Sequence, residues 1–514
     1  MHARRHAKMH PDLSRLIELD RERKLVAHIG ALLDWDQQTG MPQKAVEERS
    51  EQFALIESLV HEKSVRPEIG ELLARLDSTS ENPAGDPSLA PAERAYLRVL
   101  RRSWDRDTKL PAELVAEMAR AVSLGQAAWV EAKGNNDFPA FAPHLERILG
   151  LVRRQAACLD PSKPAYDVLL DLYEPGSTEA SISAIFARLR KDLVGVLAKT
   201  RSRPGIDDSI LHETVGEARQ RAASDWMIDL LGYDRSRGRL DVSAHPFTTT
   251  LGVDDIRITT RYIPDFCPSS LFSTMHETGH ALYELGIAPG PDFRGTELAE
   301  AASMAVHESQ SRFWENVVGR GDAFWKRNFR HLAELVSPAL DGVRREDFVR
   351  AINKVEPSYI RTEADEVTYG LHIILRFELE SDLIAGRLAV ADLPAAWNAK
   401  TKELLGLEVR DDAHGCLQDV HWSAGLFGYF PSYALGNLYA AQFAWAMRRD
   451  LPDFDDRVAE GDNASILGWL RDKVHVPGAT WLPSELVERV TGSPLDPSHF
   501  VAYLEGKYSQ IYGY

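Results

Sequence analysis

Cysteine is scarce: Cys158, Cys267 and Cys416 are the only three in 514 residues. They lie far apart, odd in number and outside any CxxC spacing, which excludes a structural cysteine cluster and points to a reducing, cytoplasmic compartment. Positive charge is also short. Against 77 Asp and Glu stand 60 Lys and Arg, a formal charge of -17, so nucleic acid and anionic membrane are disfavoured as partners because both call for a basic footprint. An apolar segment of the secretory kind is missing from the start, where residues 1–10 are basic and run into Pro11-Asp12 and an amphipathic helical pattern. They read as a frayed end whose His2, His6 and His10 would chelate metal only weakly. An unbroken membrane-spanning run is missing too. Residues 422–447 carry no formal charge, but Gly425, Gly428, Pro431, Gly436, Asn437 and Gln442 interrupt them, and the stretch reads as buried core or the wall of a cleft.

What is present is an ordinary globular composition, 44% hydrophobic and 27% charged, long enough to bury a large core without staples. Helical apolar spacing runs through 13–34, 44–61, 91–104, 111–131 and 179–199, punctuated by clusters such as Gly134-Asn135-Asn136-Asp137 and Glu174-Pro175-Gly176. No repeat or linker appears, so residues 11–514 read as a single large, mainly α domain. The exception is residues 255–262, where Ile256 and Ile258 alternate with Asp255, Arg257 and Thr259 in strand fashion. An edge strand there could hold a peptide extended by β-addition.

The most informative element is His276-Glu277-Thr278-Gly279-His280. Residues at i and i+4 share one helix face, so two imidazoles can grip one cation while Glu277 sits beside its open position as a general base. With 17 His in the chain, such a pattern arises by chance in roughly one such chain in twenty or thirty, so a helix beneath it and a third ligand beyond it are both required. The flanks predict the helix. Pro268-Ser269-Ser270 starts it, Phe272, Met275, Leu282 and Leu285 form its apolar stripe, and Gly286 with Pro289-Gly290-Pro291 stops it. Gly279 costs a helix interior about 1 kcal/mol relative to Ala, which signals close approach by a substrate or a neighbouring strand.

Residues 296–318 read as the following helix, with Glu297, Glu300, Glu308 and Glu315 as candidates for the third ligand. Glu297 and Glu300 fall in a first turn, where acids complement the helix dipole. Glu308 continues the small, apolar face of Ala301, Met304 and Ala305, where an unpaired carboxylate would be costly and a metal-bound one would not.

Several separated motifs then follow one order: His245-Pro246-Phe247, Asp255-Ile256-Arg257-Ile258-Thr259, the pentapeptide, and His307-Glu308-Ser309-Gln310. Beyond them come Ile360-Arg361-Thr362-Glu363-Ala364-Asp365-Glu366 and Gly415-Cys416-Leu417-Gln418-Asp419-Val420-His421-Trp422. In this the chain resembles the Taq-type metallocarboxypeptidases, single-metal zinc exopeptidases, over nearly its whole length. The resemblance implies that His276, His280 and Glu308 are the metal ligands, holding one zinc ion per subunit with cobalt as a substitute. It also implies an elongated helical zincin-type fold with a deep central groove, a small antiparallel β-sheet beside the metal helix, and a homodimer. The implied activity is release of single C-terminal residues, with broad specificity, from peptides with a free C-terminus.

The remaining roles follow from what that reaction needs. Glu277 takes a proton from the attacking water and passes it to the leaving amine. His421, Tyr429 and Tyr433 are candidate donors to the developing oxyanion. Arg361, then Arg257, are candidate anchors for the substrate carboxylate, since a guanidinium donates two parallel hydrogen bonds, and His245 joins them as a substrate-binding candidate. Asp365 or Asp419 could accept the outer ring N–H of a metal-bound histidine. Two other readings remain: an endo-acting zinc oligopeptidase, and a non-enzymatic peptide-binding scaffold, the latter disfavoured because all four core residues are intact.

Overall fold

The computed structural model describes residues 9–514; most of the expected frayed end, residues 1–8, lies outside them. His10 is not frayed. Its Nδ1 accepts the Asp12 amide and caps the first helix, with Pro11 in the first helical position, where its missing N–H costs nothing.

Among the described residues the fold is mainly α, as expected. The first half holds α1 (Pro11–Thr39), α2 (Val46–Ser64), α3 (Pro67–Arg75), α4 (Pro91–Lys109), α5 (Ala112–Asn135), α6 (Phe138–Leu159), α7 (Ala165–Tyr173), α8 (Glu179–Arg201) and α9 (Glu217–Leu231). After a small sheet come α10 (Cys267–Gly286), α11 (Met304–Arg312), α12 (Asp322–Val336), α13 (Arg345–Ala351), α14 (Glu366–Ala385), α15 (Leu393–Leu405) and α16 (Pro431–Asp450). Four further helices close the chain: α17 (Phe454–Glu460), α18 (Asn463–Leu470), α19 (Pro483–Thr491) and α20 (Ser498–Tyr512). The largest core runs from α5 to α20, and α16 is buried along almost its whole length, as the uncharged stretch led one to expect. No described helix is long and apolar enough to cross a membrane.

The sheet corrects two expectations. It is mixed rather than antiparallel: β1 (Leu240–Val242) runs parallel to β3 (Asp255–Thr260), and β2 (Thr248–Gly252) runs antiparallel to it. The order β1-β3-β2 makes β3 the central strand, so the edge nearest the metal helix is β2. Ile256 and Ile258 are buried as predicted, packing with Ile228 of α9 and with Ala281 and Leu285 of α10. Thr259, which alternates with them, is buried as well, and its hydroxyl accepts the Phe247 amide and the Ser243 hydroxyl.

The helix expected over 296–318 is also broken. A 3₁₀ turn at Glu297–Ala299 gives way to extended chain, and α11 starts only at Met304, where the Ser303 hydroxyl accepts the Val306 amide. The acids read as dipole partners are drawn to α1 instead: Glu297 pairs with Arg23, and Glu300 with Lys24 at 2.6 Å. Past α11 the chain widens into a π-helical turn, Phe313–Gly319.

Candidate metal centre

The α10 helix packs on α11, and α11 on α16, through two glycines. A Cβ on Gly279 would stand 2.6 Å from the Gln310 carbonyl oxygen and 2.7 Å from the Ser311 Cα. The close approach is therefore to the backbone of the next helix, not to a strand or a substrate. On the far side, a Cβ on Gly436 would meet the Glu308 side chain at 2.5 Å. These contacts set Glu308 opposite the two histidines.

His276 Nε2, His280 Nε2 and Glu308 Oε2 form a triangle with edges of 3.2, 3.4 and 3.6 Å. Ligands about 2.0–2.1 Å from a tetrahedral cation stand about 3.3–3.4 Å apart, so the donor set fits one divalent ion with a fourth position left over. The outer faces of these three side chains are occupied too. His276 Nδ1 donates to Glu315 Oε2 at 2.9 Å, and Glu315 also accepts from Arg312 and Arg320. The His280 Nδ1 meets His307 Nδ1, whose Nε2 reaches Glu284 Oε1 at 2.8 Å. Arg312 Nε donates to the other oxygen of Glu308, at 2.7 Å. Burial opposes charge throughout this cluster, yet Arg312 and the histidines hold the Glu308 carboxyl well below its usual range, and Arg312 holds Glu315 down at about 2.

Glu277 lies beside the triangle with 6% of its surface exposed. Burial raises its carboxyl above the ordinary value, against the pull of His276 and of the Thr248 hydroxyl, which donates to Oε2 at 2.7 Å. A buried acid of raised pKa next to a cation site has the character of a proton shuttle.

A second cluster carries the later motifs. Arg361 and Arg376 both grip Asp419, at 3.0 and 2.6 Å, an assembly of two buried guanidiniums around one carboxylate. Asp419 is therefore engaged by arginines and not by a ligand histidine; Asp365 caps α14, accepting the Val367 and Thr368 amides. His421 Nε2 meets the Tyr433 hydroxyl at 3.2 Å, and burial with the nearby Arg361 lowers its pKa to about 4, so the ring is neutral at pH 7. The Arg361 guanidinium lies 4.9 Å over the Tyr433 ring and donates to the Tyr369 hydroxyl. Tyr369 in turn lies under Arg312, with 4.5 Å from the guanidinium to the ring, and so joins this cluster to the donor triangle. Arg257 stands apart. It forms a two-pronged pair with Asp255 at 2.8 Å and covers Trp35. His245 is exposed in the turn between β1 and β2, and its ring makes no hydrogen bond among the described residues.

A family model for carboxypeptidase Taq (M32) metallopeptidases matches residues 15–508. The chain belongs to that family. It is 42% identical to thermostable carboxypeptidase 1 of Thermus thermophilus over 97% of this chain and 98% of that one. It is 38% identical to carboxypeptidase 1 of Bacillus subtilis, covering 94% and 95% of the two chains. The crystal structure of an M32 carboxypeptidase from Deinococcus radiodurans superposes with a TM-score of 0.94 at 39% identity, over 98% of this chain and all of that one. As an M32 member the chain is a metallocarboxypeptidase, a hydrolase that takes a divalent metal, and His276, His280 and Glu308 are the one group of described residues able to hold it.

Within this M32 chain, sequence reasoning passed over Arg312, Tyr369, Arg376, Thr248 and the His307–Glu284 pair. One signal was readable: Glu308, Arg312 and Glu315 follow i, i+4, i+7 spacing and so share a helix face. Thr248 gave none, because only strand pairing reveals what it faces.

Proposed function

We propose that the chain is a zinc-dependent carboxypeptidase, with cobalt as a substitute ion, that releases single C-terminal residues from peptides with broad side-chain tolerance. The observation that carries the reading is the donor triangle with Glu277 beside it. A divalent cation held by His276, His280 and Glu308 supplies Lewis acidity, enough to bring the pKa of a water to about 7 and to polarise a carbonyl. Glu277 accepts the water's proton and hands it to the departing amine. His421 and Tyr433, uncharged and hydrogen-bonded to each other, donate to the carbonyl oxygen as negative charge gathers on it.

The Arg361–Asp419–Arg376 assembly carries one positive charge more than its carboxylate neutralises, and this supports a role in drawing in the substrate's terminal carboxylate. Arg257, committed to Asp255, and His245 rank behind it as contacts for the rest of the peptide. The edge strand β2, rather than β3, is the one suited to adding an extended peptide across the site. We propose further that residues 11–514 act as one domain around a deep groove, that the enzyme is a homodimer, and that it works in the cytoplasm.

The test uses one peptide as free acid and as C-terminal amide, with and without chelator, read by mass spectrometry. Stepwise shortening of the free acid alone, abolished by chelator and restored by zinc, is expected. Internal cuts in both peptides would establish the endo-acting oligopeptidase instead, and cleavage that survives chelation would remove the metal from the reaction. A chain that binds both peptides and cuts neither would be a scaffold.

A further inference from the structure

The β2 strand faces the metal helix with alternate residues. In the antiparallel register Thr248 lies opposite Ile258 and Thr250 opposite Ile256, so both threonines share the face on which the two isoleucines pack against α10. From that face the Thr248 hydroxyl reaches Glu277, and the Thr250 hydroxyl reaches Glu284 Oε2 at 3.3 Å. A one-residue slip of β2 would turn both hydroxyls away.

Thr248 has a single hydroxyl proton and two acceptors near it, the Glu277 carbonyl at 3.0 Å and the carboxylate Oε2 at 2.7 Å. The carbonyl already serves the α10 hydrogen-bond ladder, and the carboxylate is both closer and charged, so the proton goes to Oε2. Among the described residues no other hydrogen bond to that carboxylate is made, which leaves Oε1 free. A glutamate on its own has several rotamers, whereas the β-branched threonine, held in a strand, has few.

We propose that Thr248 is a positioning residue for the hydrolysis: its hydroxyl anchors Glu277 Oε2, so that Oε1 alone faces the water and takes its proton. The inference rests on Glu277 being the base. Thr248 acts through the orientation of the group that does the work.

The experiment measures the single-turnover rate on the free-acid peptide, KM and zinc affinity for metal-loaded Thr248→Val, Thr248→Ser and Glu277→Gln. Thr248→Val keeps the shape and loses a charge-assisted hydrogen bond, so its rate should fall about ten- to hundredfold while KM and zinc affinity stay within about twofold. Thr248→Ser should recover most of the rate, and Glu277→Gln should lose nearly all of it. A Thr248→Val rate within twofold of the parent, with Glu277→Gln dead, overturns the role of Thr248 alone. Loss of zinc in Thr248→Val, or a serine variant as slow as the valine one, reduces Thr248 to a structural part and overturns it too. An active Glu277→Gln removes the base itself, and this inference goes with it.

Discussion

At the scale of single residues the centre is decided by which nitrogen or oxygen faces which neighbour. Glu308 and Glu315 sit seven residues apart on one helical stripe, and spacing alone admits either as third ligand. The packing of α10 separates them: Glu308 Oε2 stands by the Nε2 atoms of both histidines, whereas Glu315 Oε2 takes the outward Nδ1 of His276. Glu315 thereby fixes the tautomer that leaves Nε2 free for a cation. Replacing it by Gln should lower zinc affinity about ten- to a hundredfold, the usual cost of losing such a partner, while leaving the rate at saturating zinc within a few-fold of the parent. Competition against a zinc chelator dye measures this directly, and an unchanged affinity would mean that the Glu315 contact does not orient the ligand. The candidate ligands and the acid beside them were legible because their chemistry is written in residue type and helical spacing. Their outer partners were not, because those bonds join residues 23 to 39 positions apart on elements whose packing no local pattern encodes.

At the scale of elements, the long amphipathic helices were readable from periodicity, and the sheet's topology and the break before α11 were not. Extended chain at Glu300 and Ser303 reflects ion pairing with α1 and a capping hydroxyl, both tertiary choices that override a helix-compatible sequence. Gly279 shows how such choices can be weighed. Propensity alone says that alanine there should stabilise α10 by about 1 kcal/mol. The structure says the opposite, since the new Cβ would lie 2.6 Å from a backbone oxygen of α11, which cannot swing aside as a side chain could. Overpacking of this kind costs about 1–3 kcal/mol or more, so Gly279→Ala should be net destabilising and should spread the ligand triangle. Denaturant unfolding of the zinc-free protein isolates the packing cost from the metal. A midpoint equal to or above the parent's would show that α10 and α11 are not in contact at this glycine.

At the scale of the whole molecule, Glu174 ties together segments that are remote in sequence. From the end of α7 its Oε1 accepts the Ala305 amide of α11 at 2.6 Å and the Ser432 hydroxyl of α16 at 2.8 Å, and so braces α11, which carries Glu308, against α16, on which the Glu308 side chain packs. Sequence patterning marks Glu174-Pro175-Gly176 correctly as a turn, but nothing in it discloses that the acid is buried. The other oxygen, Oε2, is buried with no hydrogen-bond partner, a place where a proton can sit, and burial pushes the carboxyl up to about 7. In the unfolded chain the same group titrates near 4.5. Between those values the native state holds a proton that the unfolded state has lost, so this contribution is fully present below pH 4.5 and is lost as pH rises through 7. At about 1.4 kcal/mol per pH unit the loss is on the order of 3 kcal/mol. Glu174→Gln keeps the accepting oxygen, places its amide where the proton was and cannot ionise. Relative to the parent, the zinc-free variant should therefore gain stability between pH 4.5 and 8, by up to that amount, in denaturant titrations run at both ends of the range. A stability difference that is the same at both pH values would mean that Glu174 does not change its protonation across this range.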